Sequence, residues 1–182
     1  MTLRRFLTTM TVPAALAACF MAGTALAQSS TRMEGMTLSN DKPIQIESDQ
    51  LEIQDTEKKA YFTGNVRVVQ GTTTLRAGKM TVLYLGEGAS VTSGNTQIDK
   101  IFLNDTVHLT SGDQNATADQ GEFEMASQTF VLTGKQVVLS DGPNVFKGCK
   151  LTVLMKTGEA KLTPCSSGRV QILLDPKSKP QQ

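Results

Sequence analysis

One phrase is stated more than once in this chain. Residues 59–71 read KAYFTGNVRVVQG, and residues 129–141 read TFVLTGKQVVLSD, with the same apolar run, Thr-Gly step and valine pair. Residues 101–112, IFLNDTVHLTSG, give a looser third version. Shifting the chain by 70 places lays Asp49, Gln50, Glu52, Thr63 and Gly64 on Asp119, Gln120, Glu122, Thr133 and Gly134 without a gap. One place later in register, KMTVLY at 79–84 falls on KLTVLM at 150–155. A unit repeated in this way presents an apolar face that it cannot bury alone, so its copies stack around a shared interior. Chance likeness among Thr-, Val- and Gly-rich strands is the competing reading, because β sequences resemble one another readily.

The period inside each phrase is two. PIQIESDQLEIQD puts Ile44 and Ile46 on one side of a strand and Leu51 and Ile53 on one side of the next. KMTVLYLG is apolar on both faces, which suits a strand covered on both sides. Short runs separated by Thr-Gly, Ser-Gly or Asp-Gly steps continue to RVQILL at 169–174, and no segment after the first 27 residues sustains a capped helical period. The expectation is an all-β domain over residues 41–174, preceded by a flexible lead-in at 28–40 and followed by a disordered tail at 175–182. The polar stretch 86–96, GEGASVTSGNT, is expected to be an exposed loop.

Residues 1–27 belong to a different class. A basic start, a long apolar run and small residues at Ala25 and Ala27 make a cleavable secretory signal peptide. An uncleaved membrane anchor is the competing reading, since the run approaches spanning length. LAAC at 16–19 also resembles a lipoprotein box, but apolar residues follow it. Cleavage removes Arg4 and Arg5, leaving 16 basic residues of the original 18 against 17 acidic ones. So balanced a charge argues against nucleic acid and against polybasic attachment to anionic lipid. Cys149 and Cys165 remain, and in an oxidising compartment they are candidates for a disulfide; two buried free thiols are the alternative.

Catalytic parts are missing. His108 is the single histidine, between Val107 and Leu109 in a strand pattern, and there is no phosphate-cradling loop, nucleophile elbow or metal-spaced cluster. The acids of ESDQLEIQDTE alternate as solvated strand faces do. No catalytic residue, metal ligand or cofactor is therefore expected. A glycan-binding module is a further alternative, yet the chain has no Trp and only two Tyr to offer as sugar platforms.

DKPIQIESDQLEI at 41–53, AYFTGNVRVVQG at 60–71, LRAGKMTV at 75–82, ATADQGEFE at 116–124 and FVLTGKQVVL at 130–139 together resemble the LptA/OstA-like family of periplasmic lipopolysaccharide-export proteins. The resemblance runs from about Asp41 to Leu174; residues 86–100 match poorly, and the cysteine pair is not part of the general pattern. It implies an elongated, open, twisted β-jellyroll of stacked antiparallel strands whose lumen shields lipid A acyl chains. It also implies an LptC-like inner-membrane partner, an LptD-like outer-membrane partner and head-to-tail homo-oligomers bridging the two membranes. An anchored, LptC-like component of the same pathway is the alternative. Physical chemistry gives such a carrier its reason: a dozen methylenes in water cost roughly 10 kcal/mol at about 0.8 kcal/mol each.

Alternation then predicts the lumen. Ile44, Ile46, Leu51 and Ile53 are expected near its N-terminal end, continued by Phe62, Val66, Val68, Phe102, Phe123 and Leu132. The last strand is uncharged until Asp175, and an uncharged edge is a docking surface or an aggregation hazard. Val170, Ile172 and Leu174 are expected to form the oligomer edge.

Overall fold

The computed structural model describes residues 43–86, 97–166 and 168–176. The expected signal peptide, the lead-in, loop residues 87–96 and the tail beyond residue 176 lie outside the described residues. The described residues form twelve strands in one continuous antiparallel sheet, β1 Gln45–Glu47, β2 Gln50–Gln54, β3 Lys59–Gln70, β4 Thr73–Leu85, β5 Gln97–Asn104 and β6 Val107–Ser111, then β7 Gln114–Ala118, β8 Gln120–Glu124, β9 Thr129–Asp141, β10 Asn144–Leu154, β11 Glu159–Thr163 and β12 Gln171–Leu173.

Four of these strands are long and bent. The register shifts between Thr63 and Val66 in β3, and between Gly148 and Lys150 in β10. In β4 the β5 pairing starts at Lys79 and the β6 pairing ends at Arg76; β9 pairs with β8 up to Thr133 and with β7 from Val138. Each bend divides its strand between two leaves. The first leaf runs β2, β3, β4, β5, β8, β9, β10, β11, and the second runs β1, β3, β4, β6, β7, β9, β10, β12.

The repeated phrase marks these bends. At Gly64, with φ of 78°, the Asp49 amide donates to the Gly64 carbonyl at 2.9 Å and Asn65 Nδ2 donates to Asp49 Oδ2 at 2.8 Å. A side chain at Gly64 would overlap the Asp49 carboxylate. Seventy residues on, the Asp119 amide donates to the Thr133 carbonyl at 3.1 Å and the Lys135 amide donates to Asp119 Oδ2 at 2.7 Å. A Cβ on Gly134 would stand 2.8 Å from the Asp119 nitrogen. Thr-Gly recurs because a strand must change leaf there. Asp recurs because its carboxylate accepts a hydrogen bond from the residue after the glycine, the Asn65 side chain in one copy and the Lys135 backbone amide in the other.

The last corner is clasped differently. A disulfide joins Cys149, at the β10 bend, to Cys165, on the crossing from β11 to β12, with Cα atoms 4.9 Å apart.

Inside, alternation becomes rows that cross every strand of a leaf. In the first leaf Ile53, Ala60, Val82, Ile101, Phe123, Phe130, Val153 and Ala160 are successive register partners. In the second, Ile46, Val68, Leu75, Leu109, Ala116, Leu139, Phe146 and Ile172 are. At about 4.8 Å per strand, each row spans roughly 34 Å. One hydrophobic cluster draws on both leaves, so the interior between them is continuous.

Candidate functional site

A cavity of about 260 Å³ lies between the leaves toward the β1 end. The first leaf contributes Phe62, Met80, Ile101, Leu103, Phe123 and Phe130 to its wall, and the second contributes Ile44, Ile46, Val68, Leu75 and Leu109. Phe123 and Phe130 meet edge to face with ring centroids 6.2 Å apart. Ile44 and Ile46 remain 44 % and 39 % exposed although they line the wall, so the cavity reaches solvent at that end. Among the described residues, the polar members of the wall are Gln70 and Thr73, at the hairpin rim of the second leaf. Such a space accepts flexible apolar chains and offers little to a charged ligand.

Of the residues expected in a lumen, Ile44, Ile46, Phe62, Val68 and Phe123 form cavity wall. Val66 and Leu132 are fully buried in the adjoining core, where close packing leaves no wall to line. Ile53 packs on the edge of that core, and Leu51, opposite Phe62, is 48 % exposed at the free edge. Phe102 is a correction: it lies opposite Thr81 and Glu122 on the outer face, while Ile101 and Leu103 take the inner positions on either side. The alternation signal was available there, since two inward residues of a strand exclude the one between them. Leu75, Met80, Val82, Ile101, Leu103, Leu109 and Phe130 also form wall and were not among the expected lumen residues, although they alternate regularly. Gln70, Thr73, Ile98 and Met155 were missed too, at turns and breaks where the period of two is interrupted.

Two ionisable clusters of the first leaf lie outside the cavity wall. Tyr84 is buried, and its hydroxyl donates to Asp55 Oδ1 at 2.6 Å; that bond, with burial and the negative charge, pushes its pKa up to about 12. Lys100 bridges Glu124 at 2.9 Å and Glu122 at 3.4 Å between β5 and β8. Its hydrogen bond and attraction to Glu124 raise the ammonium pKa, and Glu124 is lowered in return. Among the described residues no group of three or more His, Cys, Asp or Glu side chains is placed to hold a metal. Among the described residues there is no helix long and apolar enough to cross a membrane.

Residues 45–159 match the protein family described as LptA/(LptD N-terminal domain) LPS transport protein. The chain belongs to this family. It is 60 % identical over 167 residues to an uncharacterized protein of Rhizobium meliloti, covering 91 % of this chain and 89 % of that one. It is 32 % identical over 144 residues to the lipopolysaccharide export system protein LptA of Escherichia coli K12, covering 78 % and 75 %. Its fold matches the crystal structure of LptH, the LptA-homologous periplasmic component of the lipopolysaccharide transport device of Pseudomonas aeruginosa. That match has a TM-score of 0.61 at 17 % identity, covering 74 % of this chain and 96 % of LptH.

In this LPS transport family member the two ends of the sheet are unfinished. β1 and β2 pair only with β3, and β11 and β12 pair only with β10, among the described residues. Apolar residues stand exposed at both ends: Ile44, Ile46 and Leu51 at the first, and Ile172 at 58 % and Leu174 at 63 % at the last. Val170 precedes β12 and is half-buried.

Proposed function

We propose that this chain is a periplasmic lipopolysaccharide-transport protein. It shields lipid A acyl chains in the cavity between its leaves and stacks head to tail into a bridge, meeting an LptC-like partner at the inner membrane and an LptD-like partner at the outer. The observation that carries this reading is an apolar cavity between the leaves that reaches solvent at the β1 end, with exposed apolar residues at both ends of the sheet. A carrier for chains that lose about 0.8 kcal/mol per methylene exposed needs such an interior to continue from one subunit into the next.

The internal repeat supports a definite register for the stack. β1–β6 and β7–β12 follow the same path, so the pairs β5 with β8 and β6 with β7 are a junction between repeats. Carried onto the free ends, that junction sets Ile172 opposite Ile46 of the next molecule, Leu174 opposite Ile44, Leu162 opposite Leu51 and Lys161 opposite Glu52. Exposed Ile172 and Leu174 meet exposed Ile46 and Ile44 in this arrangement, and exposed Leu51 meets half-buried Leu162, while Leu173 turns to the other face. Because the two edges differ, the contact is heterologous and builds an open filament.

Photo-crosslinking in cells tests the transport reading. A crosslinker at Phe62 or Ile101 should capture lipopolysaccharide, and one at Phe102 should not. Capture from Phe102 alone would place the lipid on the outside and end the lumen reading.

A further inference from the structure

The second leaf carries one interior row unlike the others. Gln70, Thr73, Ser111 and Gln114 are successive register partners, and all four are buried, with exposures of 4 %, 4 %, 2 % and 7 %. Thr73 Oγ1 and Ser111 Oγ share a hydrogen bond of 3.0 Å. Gln114 Oε1 is fully enclosed and accepts no hydrogen bond from any described group. A buried acceptor without a donor is costly, and a native fold keeps one where something else supplies the donor.

The position of this acceptor restricts the donor. Gln70 and Thr73 border the cavity, and Gln114 stands two strands further along the axis, about 10 Å. Tyr84 and Ile98, on the corresponding rim of the first leaf, give no free polar group to the interior, since the Tyr84 hydroxyl is engaged by Asp55. A molecule lying along the interior therefore meets apolar wall on one side and one neutral polar row on the other. None of these four is charged, and the next register partner of Gln114 is the carboxylate Asp141, so a phosphate or carboxylate is disfavoured there. A hydroxyl suits it, because it both donates and accepts and so meets the carboxamide whichever way the amide is turned.

We propose that this row is a subsite for a hydroxyl-bearing acyl chain, with Gln114 as the residue that reads the hydroxyl. The inference rests on the acyl-chain reading of the cavity and adds a preference that a plain apolar lumen would lack. Titration calorimetry with 3-hydroxytetradecanoic acid and tetradecanoic acid tests it, because the two probes differ only in the hydroxyl. The intact protein should bind the hydroxylated probe about fivefold tighter, the worth of one net hydrogen bond. Gln114→Leu should remove that preference by weakening the hydroxylated probe. Equal binding of the two acids to the intact protein would overturn the subsite while leaving the apolar cavity standing, whatever the variant does. A preference that survives Gln114→Leu in a folded protein would overturn the assignment to Gln114. Failure of both acids to bind would bring down the cavity reading and the subsite with it.

Discussion

The junction between the two repeats and the junction proposed between molecules share one geometry and differ in their side chains. Inside the molecule, Ser111 faces Gln114, Leu109 faces Ala116 and Leu103 faces Gly121. At the equivalent end positions stand Leu174 and Ile44, Ile172 and Ile46, and Leu162 and Leu51. Small and polar partners suffice inside because the chain itself holds β6 beside β7, a tether worth a high effective concentration. Two separate molecules have no tether and must recover the entropy of association from the contact itself. The difference is what the proposed stacking requires: ends that act as an interface need larger apolar partners than a tethered junction does.

The sharpest way to break the comparison is to charge the end. Ile172→Asp would put a carboxylate opposite Ile46 of the next molecule, at a cost of several kcal/mol if unpaired. Because Ile172 is exposed in the monomer, folding should survive. Light scattering should then show monomers at concentrations where the parent chain forms oligomers, and the variant should fail to support lipopolysaccharide export. Oligomers of parental size would remove β12 from the interface and the register with it.

A smaller effect should follow from the last corner. The internal crossing from β5 to β6 takes residues 105 and 106, and the Gly78 amide donates to the Asp105 carbonyl there at 2.9 Å, beside a Lys79–Asp105 ion pair of 2.9 Å. The crossing from β11 to β12 is longer, residues 164–170, and the disulfide stands where that clasp would be. Closing a loop of this size contributes about 3 kcal/mol in the chain-entropy model. Cys149→Ser with Cys165→Ser should lower the unfolding free energy by that order and weaken assembly, since β12 rests on β10 through three register pairs. A double variant of unchanged stability whose oligomers stay the same size would show that β12 needs no staple.

Much of the fold is legible in the sequence. The echo of Asp49 and Gly64 in Asp119 and Gly134 is the corner clasp itself, and the period of two named five of the cavity-wall residues. Phe102 is the exception, because its neighbours Ile101 and Leu103 already hold the interior places of that strand. The polar row was invisible for another reason. Gln70, Thr73, Ser111 and Gln114 each flank a hairpin turn, where polar residues are ordinary, and only the packing of the leaves reveals them as buried.

The register itself is open to a test of smaller size. Phe102 faces Glu122 across the internal junction, and the equivalent pair between molecules is Lys161 with Glu52. Cross-strand pairs of opposite charge contribute about 0.2–1 kcal/mol, and like charges placed opposite cost similar amounts. Lys161→Glu should therefore weaken self-association by about two- to fivefold at low salt, and less at high salt, where exposed charges are screened. Glu52→Lys alone should weaken it likewise by setting two lysines opposite. Combining the two restores opposite charges in reversed order, so sedimentation should return the double variant toward the parent. A slip of one residue would turn every side chain of the joining strand to the other face, and the rescue would then be lost. Additive weakening in the double variant would thus reject this register while leaving stacking through the same edges intact.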